Sequence, residues 1–209
     1  MANPHEEHRR VSEIITKLAC EPKLRVSLDD LLALLGDRAF GVLMLILSLP
    51  NAVGLGAIPG LSTVFGIPQV IVAMQMIMGW HRPWLPAWLR SRSIGMEDFR
   101  TMAAKSVPYL VKIERMLRPR LEFMAAPLAE RVLGVVFAVL ATLVALPIPF
   151  ANQPPAVAMA VMALGLIAYD GVFIIAGLVL GVIALAIAAG VVIGAIAAVW
   201  FAVRNLVGL

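Results

Sequence analysis

The sequence contains one cysteine, Cys20, so no intrachain disulfide can form. Its three histidines, His5, His8 and His81, stand at no ligand spacing, and no metal site is expected from them. Charge is absent from the whole of Ala39–Trp80, and beyond Arg131 only Asp170 and Arg204 carry any. The opening MANPHEEHRR has no apolar stretch and no small-residue cleavage site, so no signal peptide is expected. Catalytic signatures are also missing. There is no GxSxG, no HExxH, no paired carboxylates and no phosphate-binding glycine loop. The nearest fragment, GLSTV (60–64), lacks the second glycine and a histidine partner. An enzyme is not expected, and neither is a cofactor.

The apolar remainder sets the class. Hydrophobic residues make up 61% of the chain and mean hydropathy is +0.94. Long uncharged stretches of this kind read as embedded in a bilayer. The expected class is an all-α integral membrane protein whose most direct partner is the lipid bilayer. The net charge of +4 reads as topology, with basic residues flanking membrane segments on the cytoplasmic side. No nucleic-acid partner is expected.

The chain divides into five parts. Residues 1–38 are an amphipathic, cytoplasmic helical lead. Val11, Ile14, Ile15 and Leu18 predict a helix over 9–20, and Ser27 with Asp30 predicts a capped start for a second. Residues 39–80 are a first membrane hairpin, with arms Ala39–Leu49 and Ile67–Met78. Residues 81–131 carry ten of the 17 basic residues and read as helices lying on the cytoplasmic surface. Around their start stand Trp80, Trp84 and Trp88 beside Arg82 and Arg90, a membrane–water interface pattern. Residues 132–171 are a second hairpin, with arms Val132–Leu146 and Ala156–Tyr169. Residues 172–209 hold one long tilted helix or two short ones.

Both apolar pairs are broken where a plain span would continue, at ILSLPNAVGLGAIPG (46–60) and LVALPIPFANQPPAV (143–157). The helix-breaking prolines are Pro50, Pro59 and Pro68 in one, and Pro147, Pro149, Pro154 and Pro155 in the other. Arms this short, about 11–15 residues against the roughly 20 needed to cross, suggest re-entrant hairpins. Two ordinary spans with proline kinks remain the open alternative. The two regions match as a set. DRAFG (37–41) parallels ERVLG (130–134), Leu49-Pro50 parallels Leu146-Pro147, and Asn51 parallels Asn152. An internal repeat is expected; both hairpins entering from the cytoplasmic side would make it parallel, and an inverted pair, which needs an odd number of crossings between the halves, stays open. Their tips would meet at the midplane, where Asn51, Ser62, Thr63, Gln69, Gln75, Asn152 and Gln153 offer hydrogen-bonding groups to a ligand. Arg38 and Arg131 sit at matching hairpin starts and are candidates for phosphate, or alternatively anchors in the headgroups. Gly177-xxx-Gly181 and Gly190-xxx-Gly194 predict close helix contacts, within the chain or in a homodimer. Gly177 and Gly181 are expected to tolerate leucine less well than Gly165.

Seven ordered pieces resemble the ExoD family of bacterial membrane proteins associated with exopolysaccharide synthesis. They are LGDRAFG (35–41), LSLPN (47–51), IPGLSTVFGIPQ (58–69), AMQMIMG (73–79), RPWLPAWL (82–89), IERMLRPRL (113–121) and LPIPFANQPPA (146–156). The resemblance implies a multi-pass inner-membrane protein connected with surface polysaccharide, and it carries no catalytic residues across. Three functions follow as expectations. The first is a transporter-like protein binding a lipid-linked glycan or anionic lipid between the tips. The second is an ion or proton exchanger, although Asp170 is the only acid in the apolar part. The third is a non-transporting assembly partner of polysaccharide enzymes.

Overall fold

The computed structural model of the protein describes residues 11–20, 22, 24–54, 60–85, 93–117, 121, 126–146 and 152–207. Helix α1 (Val11–Ala19) opens them; positions 9 and 10 of the expected helix lie outside the described residues. A strand, β1 (Arg25–Ser27), follows and pairs antiparallel with β2 (Ser93–Gly95), with Val26 opposite Ile94. Three residues are too few to leave an alternating pattern in the sequence, and this ribbon was not expected from it.

Helix α2 (Leu28–Leu35) starts as Ser27 and Asp30 predict. The Asp30 N–H donates to Ser27 Oγ at 3.1 Å and the Ser27 N–H to Asp30 Oδ2 at 2.9 Å. Gly36 stops it at φ 54, and a 3₁₀ turn, Gly36–Arg38, leads into the apolar bundle.

That bundle consists of α3 (Ala39–Ala52), α4 (Leu61–Ile77), α6 (Pro127–Ala145), α7 (Gln153–Ala168) and α8 (Gly171–Val207); α5 (Met96–Met116) lies between its halves. The prolines act differently from expectation. Pro50 lies inside α3, which runs on to Ala52 with Val53 N–H bonded to Leu49 O at 3.0 Å. Pro68 lies inside α4, which begins at Leu61 and not Ile67. A proline removes its own N–H from the ladder but leaves the residues after it free to bond. Pro154 and Pro155 stand in the first turn of α7, where a missing N–H costs nothing. Pro59, Pro147 and Pro149 lie outside the described residues.

The helices pair crosswise. α3 packs antiparallel on α7, and α4 antiparallel on α6, more extensively than α3 packs on α4 or α6 on α7. Glycines permit the approach. A Cβ on Gly41 would lie 3.2 Å from Ala163 O on α7, and one on Gly134 would lie 3.0 Å from Ile77 N on α4. Phe40, Met44, Met76, Phe137, Leu140, Met159 and Met162 fill the space between.

α8 is one continuous helix of 37 residues, roughly 55 Å long. Its first half lies on α7 and α6 through Ile174, Gly177, Gly181 and Ala184. Gly165 proves as tightly packed as Gly177: a Cβ there would lie 2.7 Å from Ile174 N, whereas Gly181 meets only the flexible end of Leu140 at 3.3 Å. The expected ranking of these glycines is therefore corrected. Gly190 and Gly194 have nothing within 4 Å.

Leu128–Ala145 and Gly171–Gly194 are long and apolar enough to cross a membrane; α3, α4 and α7 are shorter apolar helices. Ile46, Val64, Ile67, Ile71, Val135, Val179 and Val182 all face outward, a surface suited to lipid and not to water.

Candidate functional site

The crosswise packing gathers helix ends of both signs at one end of the bundle. There α3 and α6 finish and α4 and α7 begin. Two side-chain hydrogen bonds join the halves at this tip end. Thr63, in the first turn of α4, donates through Oγ1 to Ala145 O at 2.9 Å, the last carbonyl of α6. Gln153, the first residue of α7, donates through Nε2 to Ala52 O at 3.2 Å, the last carbonyl of α3. Each bond satisfies a carbonyl that a helix terminus leaves open.

Just inside these bonds is a group of neutral polar side chains. Ser48, Asn51 and Gln69 are 0% exposed, Ser62 2% and Asn152 4%. Ser48 Oγ donates to Met44 O at 2.7 Å and receives Gln69 Nε2 at 3.3 Å, which ties α4 to α3. Asn51 lies one turn beyond Ser48 on α3, and Asn152 adjoins the Gln153–Ala52 bond. Among the described residues, Asn51 Oδ1, Asn51 Nδ2, Gln69 Oε1 and Asn152 Oδ1 have no hydrogen-bond partner. Leaving a polar group bare in an apolar interior costs about 1–3 kcal/mol each. These four atoms belong to three residues, one on α3, one on α4 and one just before α7.

Helix α4 starts without a side-chain cap, whereas α7 offers fewer donors because Pro154 and Pro155 in its first turn carry no N–H. The N-cap of α4 is Gly60, which has no side chain, and the Asn152 side chain makes no capping bond to α7. Their positive ends point the same way.

Of the sequence-predicted residues, Asn51, Ser62, Thr63, Gln69, Asn152 and Gln153 come together here. Gln75 does not. It lies toward the other, base end, where its amide grips the backbone of Trp84 on both sides: Trp84 N–H to Oε1 at 2.6 Å and Nε2 to Trp84 O at 3.1 Å. Arg38 and Arg131 also occupy the base end. The Arg38 guanidinium lies 5.1 Å from the ring centroid of Tyr169, which closes α7 at φ 55. The Arg131 guanidinium packs on Gly79, which closes α4 at φ 71. Cations are favoured beside helix C-termini, and each arginine stabilises the return helix of the opposite pair. Ser48 was missed in the sequence, although a hydroxyl three residues before Asn51 in an apolar arm could have signalled it. Asp170 is buried and accepts Val172 N–H at 3.0 Å, so it caps the start of α8.

The family model described as "Exopolysaccharide synthesis, ExoD" matches residues 11–201. An uncharacterized protein of Synechocystis sp. is 31% identical over 159 residues, covering 76% of this chain and 74% of that protein. Protein ExoD of Rhizobium meliloti is 28% identical over 177 residues, covering 82% of this chain and 73% of that protein. No solved structure matches the chain.

Proposed function

The chain belongs to the ExoD family, associated with exopolysaccharide synthesis, and on that premise we propose that it is a transporter-like protein of the inner membrane. It binds a lipid-linked or anionic substrate between the tips of two re-entrant hairpins, α3/α4 and α6/α7. The carrying observation is the group of buried, unpartnered amides Asn51, Gln69 and Asn152 in an otherwise apolar bundle. Such groups mark ligand sites where broken helices meet inside a membrane. The uncapped positive end of α4 supplies the partial charge an anionic headgroup requires, and α7 contributes less because Pro154 and Pro155 carry no N–H.

Helix length supports the re-entrant reading for three of the four arms, the fourth, α6, being long enough to cross. α3, α7 and α4, of 14, 16 and 17 residues, span roughly 21, 24 and 26 Å against a hydrocarbon core of about 30 Å. A parallel repeat is supported by matched contacts. Gly41 meets α7 as Gly134 meets α4, Thr63 bonds Ala145 as Gln153 bonds Ala52, and Arg38 covers Tyr169 as Arg131 covers Gly79. The ribbon extends the match: VSLDDL (26–31) resembles IGMEDF (94–99), and Val26 pairs with Ile94. Both tips lie at one end, so the two-fold axis runs along the bundle. The basic residues of 81–131 favour a cytoplasmic base end.

Complementation of an exopolysaccharide-negative deletion strain tests this. Asn51→Leu and Asn152→Leu should each accumulate in membranes and restore no polysaccharide. Full complementation by both would sink the tip site. The orphan oxygens favour one second reading, an ion exchanger, because they outnumber the orphan donor.

A further inference from the structure

We propose that the tip cluster is a binding site for a monovalent alkali cation. The orphan inventory decides the chemistry. Among the described residues the unpartnered buried atoms are three amide oxygens, Asn51 Oδ1, Gln69 Oε1 and Asn152 Oδ1, and one amide nitrogen, Asn51 Nδ2. Acceptors are in excess. Two more neutral oxygens adjoin them: Ser48 Oγ, bonded to Gln69, and Ala52 O, bonded to Gln153 beside Asn152. A carbonyl oxygen keeps a second lone pair after one hydrogen bond.

Every one of these oxygens is hard and uncharged. Calcium and magnesium sites draw on carboxylates. Softer metals require imidazole or thiolate, and no group of three His, Cys, Asp or Glu forms among the described residues. What remains is a singly charged, oxygen-seeking cation. The helix dipoles agree, because α3 and α6 finish at this end of the bundle, where their termini are negative. A substrate anion at the positive ends of α4 and α7 would complete the charge balance. The cation site does not depend on that substrate, and its test contains none.

The experiment is thermal unfolding of the purified full-length chain in detergent, in NaCl, KCl or choline chloride at equal ionic strength. Sodium or potassium should raise Tm saturably, by roughly 3–6 °C at ten times its Kd, and choline should not. Asn51→Leu and Gln69→Met should remove the shift. Thr63→Val, which loses only the bond to Ala145, should keep it. If the leucine variant fails to fold, Asn51→Asp decides: its added carboxylate should tighten the cation and enlarge the shift at low salt. Equal melting in all three salts, meaning a hydrated cluster only, would overturn the site. So would a shift unchanged in Asn51→Leu, or an Asn51→Asp protein no more cation-dependent than the parent.

Discussion

Gly66 is the position at which one methyl group tests the crosswise packing. A Cβ built there lies 2.6 Å from both the Cα and the N of Ala145 and 2.9 Å from its Cβ. Two of those atoms are backbone and cannot rotate away, so α4 and α6 must separate by roughly 1 Å or deform. Over-packing of this kind costs about 1–3 kcal/mol, and contact with rigid backbone puts Gly66→Ala toward the upper end. Alanine recovers up to about 1 kcal/mol of helix propensity over glycine. The net loss is about 1–2 kcal/mol. Gly194→Ala is the matched control: the same propensity gain applies and nothing lies within 4 Å. With roughly 2–4 °C per kcal/mol for a chain of this size, the two variants should differ in Tm by roughly 4–12 °C, Gly66→Ala the lower. Melting in detergent followed by far-UV circular dichroism reads this directly. The consequence reaches the site, because Thr63 lies one turn from Gly66 and its bond to Ala145 O must lengthen. Polysaccharide output should therefore fall with Gly66→Ala even where protein accumulates. Coincident melting curves for the two variants would refute the packing.

Gly165→Leu should damage stability and gel-filtration behaviour as much as Gly177→Leu, and Gly181→Leu less, because Leu140 can turn aside; a harmless Gly165→Leu would contradict the fit against Ile174. Pro50→Ala should be mild, since α3 already continues past it and alanine returns a donor to the Ile46 carbonyl; loss of membrane accumulation would be the contrary result. Lys105→Cys in a Cys20→Ser background should resist an impermeant maleimide added to intact cells, and ready labelling from outside would reverse the proposed topology.

Much of the bundle was legible because it depends on local chemistry. The uncharged runs of Ala39–Trp80 and Val132–Tyr169 required an apolar environment before any partner was known. Ser27 and Asp30 cap a helix wherever they occur in that spacing, and they do so here. Asn51 and Asn152 stood out as amides in apolar surroundings, and both are buried. Proline was the misleading signal. Its rule concerns one hydrogen bond, and whether a helix stops there depends on what the next residues can bond to, so Pro50 and Pro68 sit inside α3 and α4.

Only the tertiary structure decided which polar groups are spent and which are bare. Thr63 and Ala145 are 82 residues apart and Gln153 and Ala52 are 101, so no local pattern could pair them. Glycine spacing singled out Gly177 and Gly181, but close approach is a property of two helices, and the second one assigned it to Gly165, Gly66 and Gly134 as well. Gln75 reads in sequence like Gln69. One finds the Trp84 backbone and is satisfied, while the other finds a single serine and keeps an oxygen without a partner, because burial removes water before it supplies a replacement.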